Sequence, residues 1–159
     1  MLFKTLRFLS LVCAALVLGL TLTHDLEIPG KHLLSGANWL AVQHTFYGGF
    51  AIVGGIAEIL GLLSTGLLLF LLRKQRVALV LTLVAALCFA GMLTLFAFGN
   101  NPLNQQIASW TSATLPVTWQ QTRNAWDSFH AASSMLAVLS FVALLIALLR
   151  ETPLSYRTR

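Results

Sequence analysis

The chain has 159 residues, of which 57% are hydrophobic and only 9% are charged. A soluble globular domain carries about 25% charged residues, so this composition excludes an ordinary water-soluble enzyme and a disordered chain. The net charge of +5 does not indicate a nucleic-acid binder, because the basic residues stand in short clusters beside apolar runs. The remaining class is a small membrane protein that crosses the lipid bilayer several times, so the bilayer is its expected partner.

Four apolar stretches are long enough to cross the hydrocarbon core, which takes about 20 helical residues. They cover residues 5–23, 46–72, 77–98 and 128–149. Each must be helical, because an open strand would leave backbone groups unsatisfied in lipid. The first stretch follows Lys4 and Arg7 as a signal peptide would, but it lacks a small-x-small cleavage site, so we expect a retained helix. We predict an all-α fold, with one integral membrane four-helix bundle over residues 1–159.

The distribution of Lys and Arg predicts the orientation of this bundle. Eight of the ten basic residues fall on one side of the four spans, and only Lys31 and Arg123 fall on the other. The eight are Lys4, Arg7, Arg73, Lys74, Arg76, Arg150, Arg157 and Arg159. The positive-inside rule then places both termini in the cytoplasm, as expected for a multi-pass protein of the bacterial cytoplasmic membrane. The outer side is formed by two long connections, residues 24–45 and 99–127, and a short polar tail from Glu151 to Arg159 ends the chain inside.

Two dipeptides predict turns in the outer connections. Pro29-Gly30 is typical of a turn after the first span. Asn101-Pro102 predicts the end of the third helix, because a residue before proline disfavours the helical conformation.

The second span is rich in glycine. Small residues four apart, such as Ala57 and Gly61, allow close helix packing in lipid, and we favour packing over a ligand slot. The pair Gly48-Gly49 predicts a kink where this span leaves the membrane. The same helix is the surface that a homo-oligomer or another membrane protein would use.

The ionisable and aromatic residues concentrate on the outer side. On the fourth helix, Arg123, Trp126 and His130 share one face by their spacing. An imidazole one turn inside the apolar run transfers protons near neutral pH, an arginine stabilises an anion, and an indole stacks on a planar ligand. The alternative is structural: an interfacial Trp, an Arg whose charge extends to the surface and a hydrogen-bonded His.

The second helix, which we expect to begin before its membrane span, carries His44, Tyr47 and Glu58 on roughly one face. A carboxyl near the middle of a span must face the bundle interior and find a partner or a proton. At 1.5 Å per residue, His44 and Glu58 are about 21 Å apart, too far to bind one metal ion on an unbroken helix. We predict that Glu58 lies at the bottom of a cavity with His44 at its opening, or alternatively that Glu58 bonds a Thr or Ser of a neighbouring helix.

The histidines leave open whether the protein binds a cofactor. No His-Glu-x-x-His or comparable metal motif occurs. However, His44 and His130 come from different helices at similar depth, with His24 near, so facing imidazoles could hold haem or a metal ion.

The segment from Asn101 to His130 resembles a known family. It contains Asn101-Pro102-Leu103-Asn104, Trp110, Leu115-Pro116, Trp119, Arg123, Trp126 and His130. This order is similar to the C-terminal signature of the anthrone oxygenase-like family of small four-helix membrane proteins. Many members carry an Arg just after the helix-4 His, where this chain has Ala131.

The resemblance implies an oxidoreductase, since fungal members oxidise anthrones to anthraquinones with O₂. The leading hypothesis is therefore an oxygenase-like enzyme acting on a planar, lipophilic, anthrone- or phenol-like small molecule without a required cofactor. We expect His130, or less favourably His44, as general base, and Arg123 as the stabiliser of the enolate oxygen. The substrate-binding candidates are Trp126, Asn101, Asn104, Tyr47, Glu58 and Trp39. The alternatives are a haem- or metal-binding protein and a non-catalytic membrane subunit.

Overall fold

A computed structural model describes residues 1–151. The predicted cytoplasmic tail beyond Glu151 lies outside these residues. Within them the chain is helical and contains no strand. The elements are α1 (Leu2–Lys31), α2 (Gly36–Phe46), α3 (Gly48–Leu71), α4 (Arg76–Leu95), a π-helical segment (Phe96–Asn100), α5 (Asn101–Ala108) and α6 (Trp119–Glu151).

Four helical stretches are long and apolar enough to cross a membrane. They are Leu2–Lys31, Gly48–Leu71, Arg76–Ala108 and Trp119–Arg150. The third combines α4, the π segment and α5 into one continuous helix. The predicted all-α four-helix membrane bundle is thus confirmed, and the lipid bilayer is the environment of the protein.

The four helices form a ring in which α1 packs on α3, α3 on α4, α4 on α6 and α6 on α1. At one end, Leu6 of α1 meets Leu68 and Leu72 beside the turn into α4. The opposite end carries α2, α5 and the start of α6, and it is called the outer end below. There, Trp39 and Trp126 form an apolar cluster with the end of α5. The ring is therefore closed at both ends by apolar contacts.

The first helix runs past the predicted turn. Pro29 lies inside the last turn of α1, and the helix ends only at Lys31, where the N–H of His32 bonds to the carbonyl oxygen of Ile28. The prediction of a turn at Pro29-Gly30 was wrong. Pro29 removes a single N–H at an exposed position, where the unpaired carbonyl of the preceding turn can be solvated. This extension carries Lys31 into the bundle, where it is buried.

The Asn101-Pro102 pair does not end the third membrane helix either. The chain widens into the π segment, whose last bond runs from the N–H of Asn101 to the carbonyl oxygen of Phe96. Pro102 then falls in the first turn of α5, where an N–H group is not required. The predicted outer connection is therefore largely helical, and only residues 109–118 lack helix.

Close helix packing depends on two glycines. A Cβ atom at Gly61 of α3 would overlap the ring of Phe89 on α4, which is fully buried. A Cβ atom at Gly99 in the π segment would overlap the ring of Phe129 on α6. Gly48 and Gly49 have open space around them, and the break between α2 and α3 falls just before them, at Tyr47.

Replacing Gly61 with alanine is expected to destabilise the bundle by about 1–3 kcal/mol, because the new methyl group meets the Phe89 ring in a packed interface. Gly66→Ala is the matched control on the same helix, since a Cβ atom there meets nothing within 4 Å. Thermal unfolding in detergent measures both variants. Equal melting temperatures for the two variants would contradict the packing described here.

Candidate functional site

A cavity of about 510 Å³ lies at the outer end of the bundle. Its volume falls within the range of about 300–1,000 Å³ that is usual for small-molecule sites. All four membrane helices and α2 contribute to its lining, and both apolar and polar side chains face it. The polar and aromatic ones are Thr21, His24, Gln43, His44, Tyr47, Phe50, Glu58, Phe96, Asn104, Trp126 and His130.

The centre of the cavity wall is a pair of imidazoles from different helices. The ring centroids of His24 on α1 and His130 on α6 are 4.2 Å apart. The Nδ1 atom of each ring is buried and has no hydrogen-bond partner within residues 1–151. Trp126 touches both members of this histidine pair, with centroid distances of 4.0 Å to His130 and 5.0 Å to His24. Buried polar atoms are nearly always satisfied in folded proteins, so two unpartnered nitrogens side by side mark the histidine pair as a candidate functional group.

Hydrogen bonds from the π segment and α5 hold Trp126 in place. The Nε1 atom of Trp126 donates to Oδ1 of Asn104 at 2.7 Å. The Nδ2 atom of Asn100, which is fully buried, donates to the carbonyl oxygen of Trp126 at 3.2 Å. A π turn shifts the helix face that follows it, and here it brings both asparagines towards α6. The indole therefore forms a fixed, flat wall of the cavity.

Tyr47 is held by a charged pair at the outer edge of the cavity. Its hydroxyl donates to Oε2 of Glu27 at 2.6 Å, and the Nζ atom of Lys31 lies 3.3 Å from the same oxygen. The Lys31 ammonium also lies over two rings, 5.1 Å from the centroid of Tyr47 and 4.9 Å from that of Trp126. Burial, together with the carboxylate of Glu27, raises the pKa of the Tyr47 phenol well above its usual value. The phenol therefore stays protonated and remains a hydrogen-bond donor.

The two α2 residues at the outer end of the cavity differ in their partners. The Nε2 atom of His44 is bonded to the carbonyl oxygen of Ile107 at 3.1 Å, which ties α2 to α5. The Nε2 atom of Gln43 is buried and has no hydrogen-bond partner within the described chain. Of the two histidines that the sequence places near His130, His24 is the one whose ring contacts it. Gln43 was not among the predicted site residues.

Glu58 lies at the inner end of the cavity. Its side chain is 8% exposed and belongs to the cavity lining. The structure of residues 1–151 contains neither a hydrogen bond nor an ion pair of its carboxyl group. The cavity that holds Glu58 also holds His44, and this is the arrangement expected from the sequence.

Three predicted residues lie away from the cavity. The Arg123 guanidinium lies over the ring of Trp119, 5.0 Å from its centroid, and donates to Oδ1 of Asn124 at 3.4 Å. Trp39 is fully buried against the same Trp119 ring, at 5.3 Å. Asn101 does not belong to the lining. The structure therefore does not bring Arg123 to the histidine pair, because Trp119 lies one helical turn before it and attracts the guanidinium.

The donor set does not favour a bound metal. No group of three or more His, Cys, Asp or Glu side chains in residues 1–151 is arranged to hold a metal ion. An iron between two imidazoles needs a metal–nitrogen bond of about 2 Å on each side, which separates the ring centroids by more than 4.2 Å. The histidine pair as it stands therefore does not fit a haem held between its two rings.

The cavity is not closed on all sides. Its lining includes exposed residues of α2, α3, the π segment and α5, namely His44, Gly48, Ala51, Phe96 and Ala108. Ala51 and Phe96 belong to two of the membrane helices, so part of this exposed rim lies on helices that cross the membrane.

Comparison with protein-family models, with curated proteins and with solved structures finds no match to this chain. The similarity to the anthrone oxygenase-like family remains a resemblance of motif residues. Among those residues, Asn104, Trp126 and His130 line the cavity.

The raised pKa of Tyr47 predicts a specific titration result. Between about pH 9 and pH 11, where an ordinary tyrosine with a pKa of about 10 ionises, Tyr47→Phe should leave the phenolate absorbance of the folded protein unchanged. The chain has two tyrosines, so the double variant with Tyr156→Phe gives the tyrosine-free baseline. A loss of half the phenolate signal in Tyr47→Phe would show that the phenol titrates normally.

Proposed function

We propose that the protein is a membrane-embedded, oxygenase-like oxidoreductase that acts on a planar, lipophilic, anthrone- or phenol-like molecule. One observation carries the proposal: two imidazoles of separate helices lie 4.2 Å apart on the wall of a cavity, each with a buried Nδ1 that has no hydrogen-bond partner within residues 1–151. The resemblance to the anthrone oxygenase-like family supplies the substrate class.

The histidine pair supplies a general base. An imidazole takes a proton from an acidic C–H bond of the substrate, and the second ring shares or relays that proton. The carbanion then gives its electrons to O₂, a C–O bond forms, and the peroxide takes up the proton. Loss of water breaks the O–O bond, so a CH₂ group and O₂ become a carbonyl group and H₂O.

Gln43 and Asn104 replace Arg123 as candidates for stabilising the substrate oxygen. Both line the cavity, and the Nε2 atom of Gln43 is a buried donor without a partner within residues 1–151. An enolate oxygen within reach of this donor would satisfy it and be stabilised in return. The flat faces of Trp126 and Tyr47 would orient the ring of the substrate.

The exposed lining residues Ala51 and Phe96, which belong to two membrane helices, support a substrate that arrives from the bilayer. We place the outer end of the bundle on the non-cytoplasmic side of a bacterial cytoplasmic membrane, because eight of the ten basic residues belong to the other side.

The proposal is tested with purified protein in lipid nanodiscs, by following anthrone oxidation and O₂ consumption above the spontaneous rate. His130→Gln and His24→Gln are each expected to lower kcat by about 100-fold or more, which is the usual contribution of a general base. Anthrone deuterated at its reacting carbon should turn over more slowly on the wild type.

His32→Gln is the matched control and should keep the wild-type rate. His32 is exposed and pairs with Asp127 at 2.8 Å, and it does not belong to the cavity lining. The proposal fails if both cavity variants oxidise anthrone as fast as the wild type, or if the wild type shows no oxidation above the spontaneous rate.

A further inference from the structure

Glu58 is a buried carboxyl group that the oxygenase chemistry does not use. It lies ten residues into α3, about 15 Å from the outer end of that helix, and so near the middle of the membrane. Its side chain is 8% exposed, and the described residues give its carboxyl group no hydrogen bond and no ion pair. A carboxyl in such a place is costly, and it needs a proton or a cation as its partner.

The depth of Glu58 can be compared with that of the histidine pair. A Cβ atom at Gly54 would lie 3.7 Å from the Cδ1 atom of Leu20 on α1, and Glu58 is one helical turn further inwards, so Glu58 lies near the level of Val17. His24 is seven residues further along α1, about 10 Å towards the outer end. The cavity therefore has polar groups at two depths, with room for a ring system between them.

The aromatic walls of the cavity are suited to the apolar body of a ligand. Tyr47, Phe50, Phe96 and Trp126 belong to the lining, and Tyr47, Phe50 and Trp126 contact His24 at the outer end. The Lys31 ammonium lies 5.1 Å from the centroid of Tyr47 and 4.9 Å from that of Trp126, so the outer end already holds a positive charge. The positive centre of a ligand therefore finds its partner at the inner end, at Glu58.

An inorganic cation does not fit this site. Hard metal ions require several oxygen ligands, and no group of three or more metal-binding side chains exists in residues 1–151. An organic cation requires only one carboxylate and an apolar, aromatic surrounding.

We propose that the cavity binds a lipophilic organic cation, with its positive centre against the Glu58 carboxylate and its apolar body against the aromatic walls. This goes beyond the oxygenase proposal and does not rest on it.

Two probes of the same shape test this binding. N-methylacridinium is a flat, permanent cation, and 9-methylanthracene is its neutral isostere. The affinity of each probe is measured on the full-length wild type and on Glu58→Gln in nanodiscs, and each probe is compared only with itself. This removes the different partitioning of the probes into lipid.

Glu58→Gln is expected to weaken N-methylacridinium binding by about tenfold or more, because it removes the acidic charge of the cavity lining, which partners the cation. The affinity for 9-methylanthracene should stay the same, which also shows that the variant folds. Glu58→Asp keeps the charge and should bind the cation with intermediate affinity. Asp25→Asn changes the net charge equally outside this cavity lining and should bind both probes as the wild type does.

Three results would overturn the proposal. The first is an unchanged affinity of Glu58→Gln for the cation, which means that Glu58 is a neutral structural acid. The second is an equal loss of both probes in Glu58→Gln and in Glu58→Asp, which means that this side chain shapes the cavity instead of contacting the positive charge. The third is an equal loss of cation binding in Asp25→Asn, which means that net charge rather than Glu58 attracts the probe. No test here uses O₂ turnover, so failure of this proposal and failure of the oxygenase proposal are distinguishable.

Discussion

Hydrocarbon gives polar side chains no hydrogen bonds, and this constraint organises the outer half of the bundle. Every ionisable group on a spanning helix must face another helix or an internal space. His24, Glu58 and His130 meet that requirement by facing one cavity, while the apolar sides of their helices are left for lipid. The cavity lies where it does because the polar groups of the spanning helices can be placed only in the interior of the bundle. Gly61 allows α3 to pack closely against Phe89 of α4 in the inner half of the bundle, while the cavity lies in the outer half.

The membrane helices and the residue types at the site could be predicted from the sequence. Hydropathy identifies segments that cross lipid, and the four spans are confirmed. A histidine or glutamate inside an apolar run has to point inwards, which is why His130 and Glu58 could be named in advance. His130 and Glu58 line the same cavity because α3 and α6 belong to the same small ring of helices.

The details that decide the chemistry could not be predicted in the same way. Hydropathy locates the lipid-crossing part of α1 but not its last turn, so Lys31 looked like a loop residue rather than a buried cation beside Trp126. Helical spacing places Arg123 on the face of His130, but a long side chain can turn back to an aromatic neighbour, and here it lies over Trp119. The choice of His24 rather than His44 as the neighbour of His130 depends on which helices touch, and spacing along one helix does not contain that information.

The contact between the two imidazoles of the histidine pair is the claim on which the account depends, and solid-state NMR in bilayers measures it directly. The chain has four histidines, so selective ¹³C,¹⁵N-histidine labelling gives a simple spectrum. Rings 4.2 Å apart predict a cross-peak between the two side chains that disappears in either His24→Gln or His130→Gln and persists in His32→Gln. A spectrum without any cross-peak between the rings of His24 and His130, from protein that is otherwise folded, would contradict the account.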